Sequence, residues 1–346
     1  MAEDQMNYYR MEEIMKKYKI TALLIAITLI FSLTGCIKVP VELYGYIDIE
    51  GNWVIKPYYH AALPASEGML AVRAGEEDYG KWGYINTSNE MLIDFRYDEV
   101  GLFSEGVAPV MILDGSNETW YFVDKNGNKV FDKEFKAAFS FSEGLAAVQS
   151  ADEDTEDLWG FIDTSGNYAI EPVFTGASSF SEGLAMYLEG SGSAGLAGYI
   201  DIEGNVVIDA MYTYARNFQN GYAAVKLSAD PDKNDWGFID TEGNIAIGLT
   251  YTFAKGFSEN LAPVYIGTAL KGSWSYINPE NKIVISKGFS EAFSFSDGLA
   301  AVQTEFDAGT NWGFIDTSGE LVLGGKYAAA SDFREGIAPV AVIADR

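Results

Sequence analysis

The chain has 346 residues, is 48% hydrophobic, and carries 23 basic against 50 acidic residues, a net charge of −27. A surface of that sign repels phosphate backbones and anionic head groups, so nucleic acid is not an expected partner. Its one cysteine, Cys36, rules out an intramolecular disulfide and a thiol-rich metal site.

In chain order, a short basic stretch, Met15-Lys16-Lys17-Tyr18-Lys19, precedes an uncharged run from Ile20 to Thr34. That run has the length of a secretory signal core and is short for a stable membrane span. It ends in Leu33-Thr34-Gly35-Cys36, an aliphatic residue, two small residues and the cysteine. The order resembles the lipobox of bacterial lipoproteins. The resemblance implies cleavage before Cys36, a lipid on Cys36, and a membrane-anchored protein on the outer face of the cytoplasmic membrane. Residues 1–36 are thus read as a signal peptide and 37–43 as a short tether. Residues 1–14 are atypical ahead of such a signal, which makes Met15 a candidate start.

From residue 44 onward the sequence repeats. A strand-like signature, Trp312-Gly313-Phe314-Ile315-Asp316 in its clearest copy, places its aromatic at Tyr46, Tyr84, Phe122, Phe161, Tyr199, Phe238, Tyr276 and Phe314. The intervals are 38, 38, 39, 38, 39, 38 and 38 residues. A second signature, Phe-Ser-Glu-Gly-Leu-Ala-Ala-Val at Phe141–Val148, keeps the same beat through Gly68, Gly106, Gly144, Gly183, Gly221, Asn260, Gly298 and Gly336. Two signatures on one period indicate a repeat architecture. Residues 44–346 are therefore one domain of eight repeats.

Each repeat reads as a small antiparallel meander. A small-residue strand such as Gly144–Val148 alternates with period two, and a variable connector follows it. Next come an aromatic strand, Trp159–Asp163, a tight turn through Thr164-Ser165-Gly166, and Tyr168–Ile170. Glycine or asparagine at both turns predicts a left-handed backbone there. The Asp or Asn that ends each aromatic strand (Asp48, Asn86, Asp124, Asp163, Asp201, Asp240, Asn278, Asp316) is placed to bond forward into the turn. Each such turn offers one or two carboxylates where calcium takes about six to eight oxygens, so these turns are not expected to hold metal. Pro109, Pro263 and Pro339 in the small-residue strand place that strand at a sheet edge. The stripe of Trp, Tyr and Phe along the aromatic strands is expected in the core.

The expected fold is all-β: eight repeats of about 38 residues forming an eight-bladed β-propeller with three- to four-stranded blades, an open β-solenoid being the alternative. The ordered chain starts at an aromatic strand, Gly45–Asp48, and ends at a small-residue strand, Gly336–Val340. Those two are neighbours within every intact meander, so the last strand is expected to complete the unit the first begins.

These residues resemble the bacterial WG-repeat proteins, named for their Trp-Gly pair. The pair is intact at Trp82-Gly83, Trp159-Gly160, Trp236-Gly237 and Trp312-Gly313. It is altered at Tyr44-Gly45, Trp120-Tyr121, Ala197-Gly198 and Trp274-Ser275. The resemblance implies no single catalytic activity and no catalytic residues.

Residue chemistry points the same way. The only histidine, His60, has no second histidine or thiol to form a metal cluster or triad. The glycines keep the repeat's beat rather than clustering into a phosphate loop. No cofactor is expected, and the repeat-borne acids such as Glu105, Glu143 and Glu182 are expected to serve turns. Copies differ most in the connectors ahead of each aromatic strand, which should share one face. Several are acidic: Glu76, Glu77 and Asp78; Asp152, Glu153, Asp154, Glu156 and Asp157; Asp230, Asp232 and Asp235. They form the candidate binding face for a cationic or hydrogen-bonding partner, protein or cell-wall polymer. The expected role is a non-catalytic binding or scaffold module, with a glycan hydrolase and a passive envelope spacer as alternatives.

Overall fold

The computed structural model describes residues 40–75, 80–190, 195–228, 230, 233–268, 271–304 and 311–345. Cys36 and the expected signal segment lie outside the described residues. Glu42–Ile343 forms one compact unit; Met1–Val41 and Ala344–Arg346 fall outside it.

The first complete blade shows how the repeat becomes a sheet. Its small-residue strand, Leu70–Ala74, pairs antiparallel with the aromatic strand Lys81–Ile85, with Ala71 opposite Tyr84. The aromatic strand pairs in turn with the outer strand Met91–Tyr97. A fourth piece, Ala61–Ala62, lies against the other side of the small-residue strand. The small-residue strand is therefore not the sheet edge that its prolines suggested. The backbone N–H groups of Gly101, Lys255 and Ser331 donate to the carbonyls of Pro109, Pro263 and Pro339 at 2.8, 2.9 and 3.1 Å. What the prolines mark is a position that accepts from the short strand and needs no donor of its own, so alanine and proline serve equally.

The glycine of the Trp-Gly pair has a steric cause. Between Trp82↔Tyr97 and Tyr84↔Ile93 the outer strand carries extra residues, which fold over the aromatic strand as a bulge. A Cβ on Gly83, Gly160, Gly198, Gly237 or Gly313 would lie 2.5–2.7 Å from an outer-strand carbonyl oxygen. In those blades glycine lets the backbone approach; Ser275 sits under the same bulge, between Trp274↔Phe289 and Tyr276↔Ile285, where the outer strand carries Gly288 at φ 73°. The neighbouring tryptophans Trp82, Trp159, Trp236, Trp274 and Trp312 are only 7–8% exposed, in the core as expected.

Successive blades are joined by an aromatic zipper. In seven repeats the residue after the Trp-Gly position meets the phenylalanine ahead of the next blade's Glu-Gly-type turn: Tyr84–Phe103, Phe122–Phe141, Phe161–Phe180, Tyr199–Phe218, Phe238–Phe257, Tyr276–Phe295 and Phe314–Phe333. Their centroids are 4.8–5.1 Å apart, in edge-to-face or tilted arrangements that suit the ring quadrupoles. Where that residue is tyrosine, its hydroxyl donates across the same boundary, as from Tyr46 to the Leu63 carbonyl at 2.7 Å. Burial raises the pKa of the Tyr46, Tyr84 and Tyr276 phenols well above the ordinary value.

The eighth blade is built from both ends of the chain. One four-stranded sheet holds Ala329–Ala330, Ile337–Asp345, Pro40–Asp48 and Trp53–Tyr59, with the last long strand beside the first. A cycle of hydrogen bonds independently marks the same closure. The acidic or amide side chain of each tight turn accepts from the backbone N–H at the next turn: Glu67 from Gly106, Glu105 from Gly144, Glu143 from Gly183, Glu182 from Gly221. Asn220 then accepts from Asn260, Glu259 from Gly298, Asp297 from Gly336, and Glu335 from Gly68, back at the start. All eight bonds span 2.8–3.3 Å. The repeats are thus arranged cyclically, as in a β-propeller; an open solenoid would leave Gly68 and Glu335 without each other.

One blade departs from the pattern, and its sequence says why. Seven blades carry a seven-residue outer strand: Trp53–Tyr59, Met91–Tyr97, Tyr168–Phe174, Val206–Tyr212, Ile245–Tyr251, Ile283–Phe289 and Leu321–Tyr327. The second blade has none. Its aromatic strand reads Trp120-Tyr121, with a bulky tyrosine where six other blades have glycine under the bulge and the sixth blade has the small Ser275. Of the outer strand there remain the bridge Val123↔Lys129 and the end pair Trp120↔Phe135, the counterpart of Trp274↔Phe289, made by the first residue of the following strand Phe135–Ala138. Trp120 is accordingly less buried than its five counterparts.

Candidate functional site

Within each hairpin the Glu-Gly-type turn stands at the start of the small-residue strand and the connector at its far end. The connectors therefore lie opposite the hydrogen-bonded ring. They range from the two-residue turn Gly115-Ser116 to the nine residues 227–235, while the strands they join keep one register.

Glu76, Glu77, Asp78 and Asp232 lie outside the described residues. The connector 151–158 is fully described. Asp152 precedes a single 3-10 turn, Glu153–Thr155, and Asp152, Glu153, Asp154, Glu156 and Asp157 are all exposed. Thr155 points inward, its hydroxyl 2.8 Å from that of Ser150, which pins the turn and leaves the acids outward. Lys136 reaches across from the start of the third blade to Glu156 (2.5 Å) and Asp157 (2.9 Å). Those two carboxylates, Glu156 foremost, raise the Lys136 pKa.

Asp230 and Asp235 part company. Asp230 is exposed, and its carbonyl accepts from Lys226 Nζ at 2.6 Å. Asp235 is buried, with the buried ammonium of Lys226 3.8 Å away and Lys233 also at 3.8 Å. By sequence Asp235 belongs to the acidic rim; the structure sets it beneath, as the counter-ion of a lysine withdrawn from solvent. His60 stands at the bend between Trp53–Tyr59 and Ala61–Ala62, its N–H bonded to the Arg73 carbonyl.

Beyond the pair Phe135↔Trp120, past the point where the outer strand ends in the other blades, lies an open groove of ≈ 550 Å³ lined by Ser116, Asn117, Glu118, Thr119, Glu134, Phe135, Lys136, Gln149 and Ala151. It borders the acidic connector, since Lys136 binds Glu156 and Asp157, and Gln149 donates to the Asp157 carbonyl at 3.0 Å. Burial, then the nearby carboxylates of Glu118 and Asp98, raise the Glu99 pKa, a mark of crowded negative charge on this side. Among the described residues, no three histidine, cysteine, aspartate or glutamate side chains are grouped to hold a metal.

The fold and the connector face define a cyclic β-repeat protein. The WG containing repeat model matches residues 44–76, 82–115, 122–152, 159–191, 198–228, 236–267, 274–305 and 312–342, and the chain belongs to that family. No curated protein sequence matches it. Among solved structures it is similar to the uncharacterized protein lmo1340 from Listeria monocytogenes EGD-e, at 13% identity and a TM-score of 0.51, covering 76% of this chain and 93% of that one. The β-propeller domain of the Trilobed protease from Pyrococcus furiosus, described as having an open velcro topology, matches at 10% identity and a TM-score of 0.47, over 78% of this chain and 97% of that one. An acylaminoacyl peptidase from Pyrococcus horikoshii matches at 11% identity and a TM-score of 0.48, over 77% of this chain but 52% of the peptidase. Identities this low speak to fold alone.

Proposed function

We propose that the repeats form a non-catalytic binding or scaffold module whose connector face takes a protein or cell-wall polymer, held at the outer face of a bacterial cytoplasmic membrane by lipid on Cys36. The observation that carries the binding role is the contrast between the two ends of the hairpins. One end repeats a single turn and a single hydrogen bond eight times; the other varies in length and chemistry from copy to copy and exposes Asp152, Glu153, Asp154, Glu156 and Asp157. Variable loops on a repeated rigid frame are where repeat proteins place recognition. The anchoring part rests on the sequence alone, on the basic stretch, apolar run and Leu33-Thr34-Gly35-Cys36 in that order.

A thermal-shift screen against basic proteins, glycans and wall fragments tests the binding role, because a ligand of the folded state raises its melting temperature. Stabilisation by one class, lost when residues 152–157 are neutralised, is expected. Turnover of a glycan would contradict the non-catalytic reading, and no shift with any class would favour a passive spacer. Loss of membrane retention in a Cys36→Ser variant is the expected result for the anchor.

A further inference from the structure

One position in each repeat, four residues ahead of the turn glycine or its asparagine, sits where successive blades meet. Ser140, Ser179 and Ser294 hold it in three repeats, and each hydroxyl donates to the carbonyl of the same position one repeat earlier. The acceptors are Leu102 at 2.6 Å, Ser140 at 3.5 Å and Gly256 at 3.0 Å. In the fifth and eighth blades the position is Asn217 and Asp332, and the corresponding acceptors are the carbonyls of Ser179 and Ser294. Both side chains have a buried Oδ1 with no hydrogen-bond partner. The eighth blade keeps the repeat's backbone here: the Ser331 N–H donates to the Pro339 carbonyl and the Arg334 N–H to the Ile337 carbonyl. For Asn217, turning the amide over would bring its NH2 to the carbonyl. A carboxylate has no donor to turn; only its protonated form has one.

We propose that Asp332 is a proton-operated latch between the seventh and eighth blades: protonated, its carboxyl donates to the Ser294 carbonyl as the serines do; ionised, it meets that carbonyl with no donor. The charged groups around it are otherwise engaged. Lys255 and Arg334 are the cations that act on Asp332. Lys255 Nζ is held by Glu291 Oε1 and the Ala292 carbonyl, both at 2.8 Å, and Arg334 also interacts with Asp297 and Glu335. Tyr276, whose hydroxyl donates to the Phe293 carbonyl at 2.7 Å, is the other titratable group near it. Burial pushes the Asp332 carboxyl above its ordinary value and outweighs the opposite pull of Arg334 and Lys255. Those two cations also make a metal ion a poor occupant of the same place. Linkage fixes the sign. A carboxyl that binds its proton more tightly in the folded chain adds stability that is complete below about 3.9 and lost as pH rises through its folded value. The joint belongs to the blade that holds both ends of the chain, so mild acid tightens the seam of the ring.

The test compares the full chain with Asp332→Asn, which keeps the shape and supplies a donor at every pH, by calorimetry from about pH 4 to about pH 8. The parent's melting temperature should fall behind the variant's as pH rises, by about 2 °C or more, and the gap should level off once Asp332 is ionised. The other carboxyls are common to both chains and cancel in the difference. Carbon-13 NMR of aspartate-labelled chain gives a second reading. The carboxyl resonance missing from Asp332→Asn should titrate with a midpoint above about 3.9. Asp332→Ser, which restores the repeat's own hydroxyl, should track Asp332→Asn and carries the comparison if the asparagine variant fails to fold. Parallel melting profiles of parent and variants, or a carboxyl midpoint at or below the ordinary value, would overturn the latch. Calcium that raises the melting temperature of the parent but not of Asp332→Asn would assign the two facing acceptors to a cation and overturn it as well.

Discussion

At the scale of single residues, the Glu-Gly turn breaks a local preference for a non-local gain. Hairpin turns with two positive φ angles favour Asn-Gly, yet Glu143, at φ 58°, and its counterparts Glu67, Glu105, Glu182, Glu259 and Glu335 are glutamates. An L-residue loses about 1–2 kcal/mol in that region. The offset is the carboxylate's bond to the next turn, as from Gly183 N–H to Glu143 at 2.9 Å. Glu143→Ala keeps the strain and loses the bond, and should lower unfolding free energy in urea by about 1 kcal/mol. Glu143→Gly loses both and should lie nearer the parent.

The aspartates that end the aromatic strands act at the same scale. In Asp48, Asp124 and Asp163 the backbone N–H four residues on is the main cause of a lowered pKa. The side chains of Asn205 and Ser318 lead for Asp201 and Asp316; at Asp240 desolvation opposes the shift and the Asn244 bonds outweigh it. A carboxyl with a lowered folded pKa contributes stability that is complete above its unfolded value, about 3.9, and is lost as pH falls through the folded value. Asn86 makes the same turn bonds without a titrating group. A variant with all six aspartates changed to asparagine should therefore lose less melting temperature between pH 6 and pH 3 than the parent, by calorimetry. An equal loss would mean these turns do not set the acid response.

At the scale of the strand, the bulge of the outer strand needs a small residue beneath it. It lies over glycine in six blades and over Ser275 in one; where the position is Tyr121, the seven-residue outer strand is gone. Gly160→Ala would place a methyl 2.6 Å from the Ile170 carbonyl oxygen, and should cost about 1–3 kcal/mol. Tyr121→Ala, with no strand above it, should cost clearly less in the same chemical melts. Much of this layer was legible in the sequence. The period, the left-handed turns, the buried tryptophans and the turn capping by Asp or Asn follow from local chemistry and from symmetry. The short fourth strand was not, because two residues such as Ala61-Ala62 leave no alternation to read. Nor was the burial of Asp235, which depends on Lys226 arriving from the paired strand.

For the whole unit, closure rests on a sheet shared by the chain's two ends and on the last link of an eight-membered cycle, Glu335 to Gly68. Each blade hides the aromatic edge of its neighbour, so the first and the last would otherwise each leave one face uncovered. The connector face and the acidic loop at 152–157 take their positions from this frame.

Closure can be measured directly with spin labels at residues 50 and 343 in a Cys36→Ser background, comparing their distance with that between labels at 126 and 113. The first pair is remote in sequence; the second lies within the second blade's hairpin, at corresponding places in the repeat. A cyclic array predicts that the two distance distributions coincide and are equally narrow. A distribution for 50 and 343 that is broad, or centred at a distance well above that of 126 and 113, would contradict it.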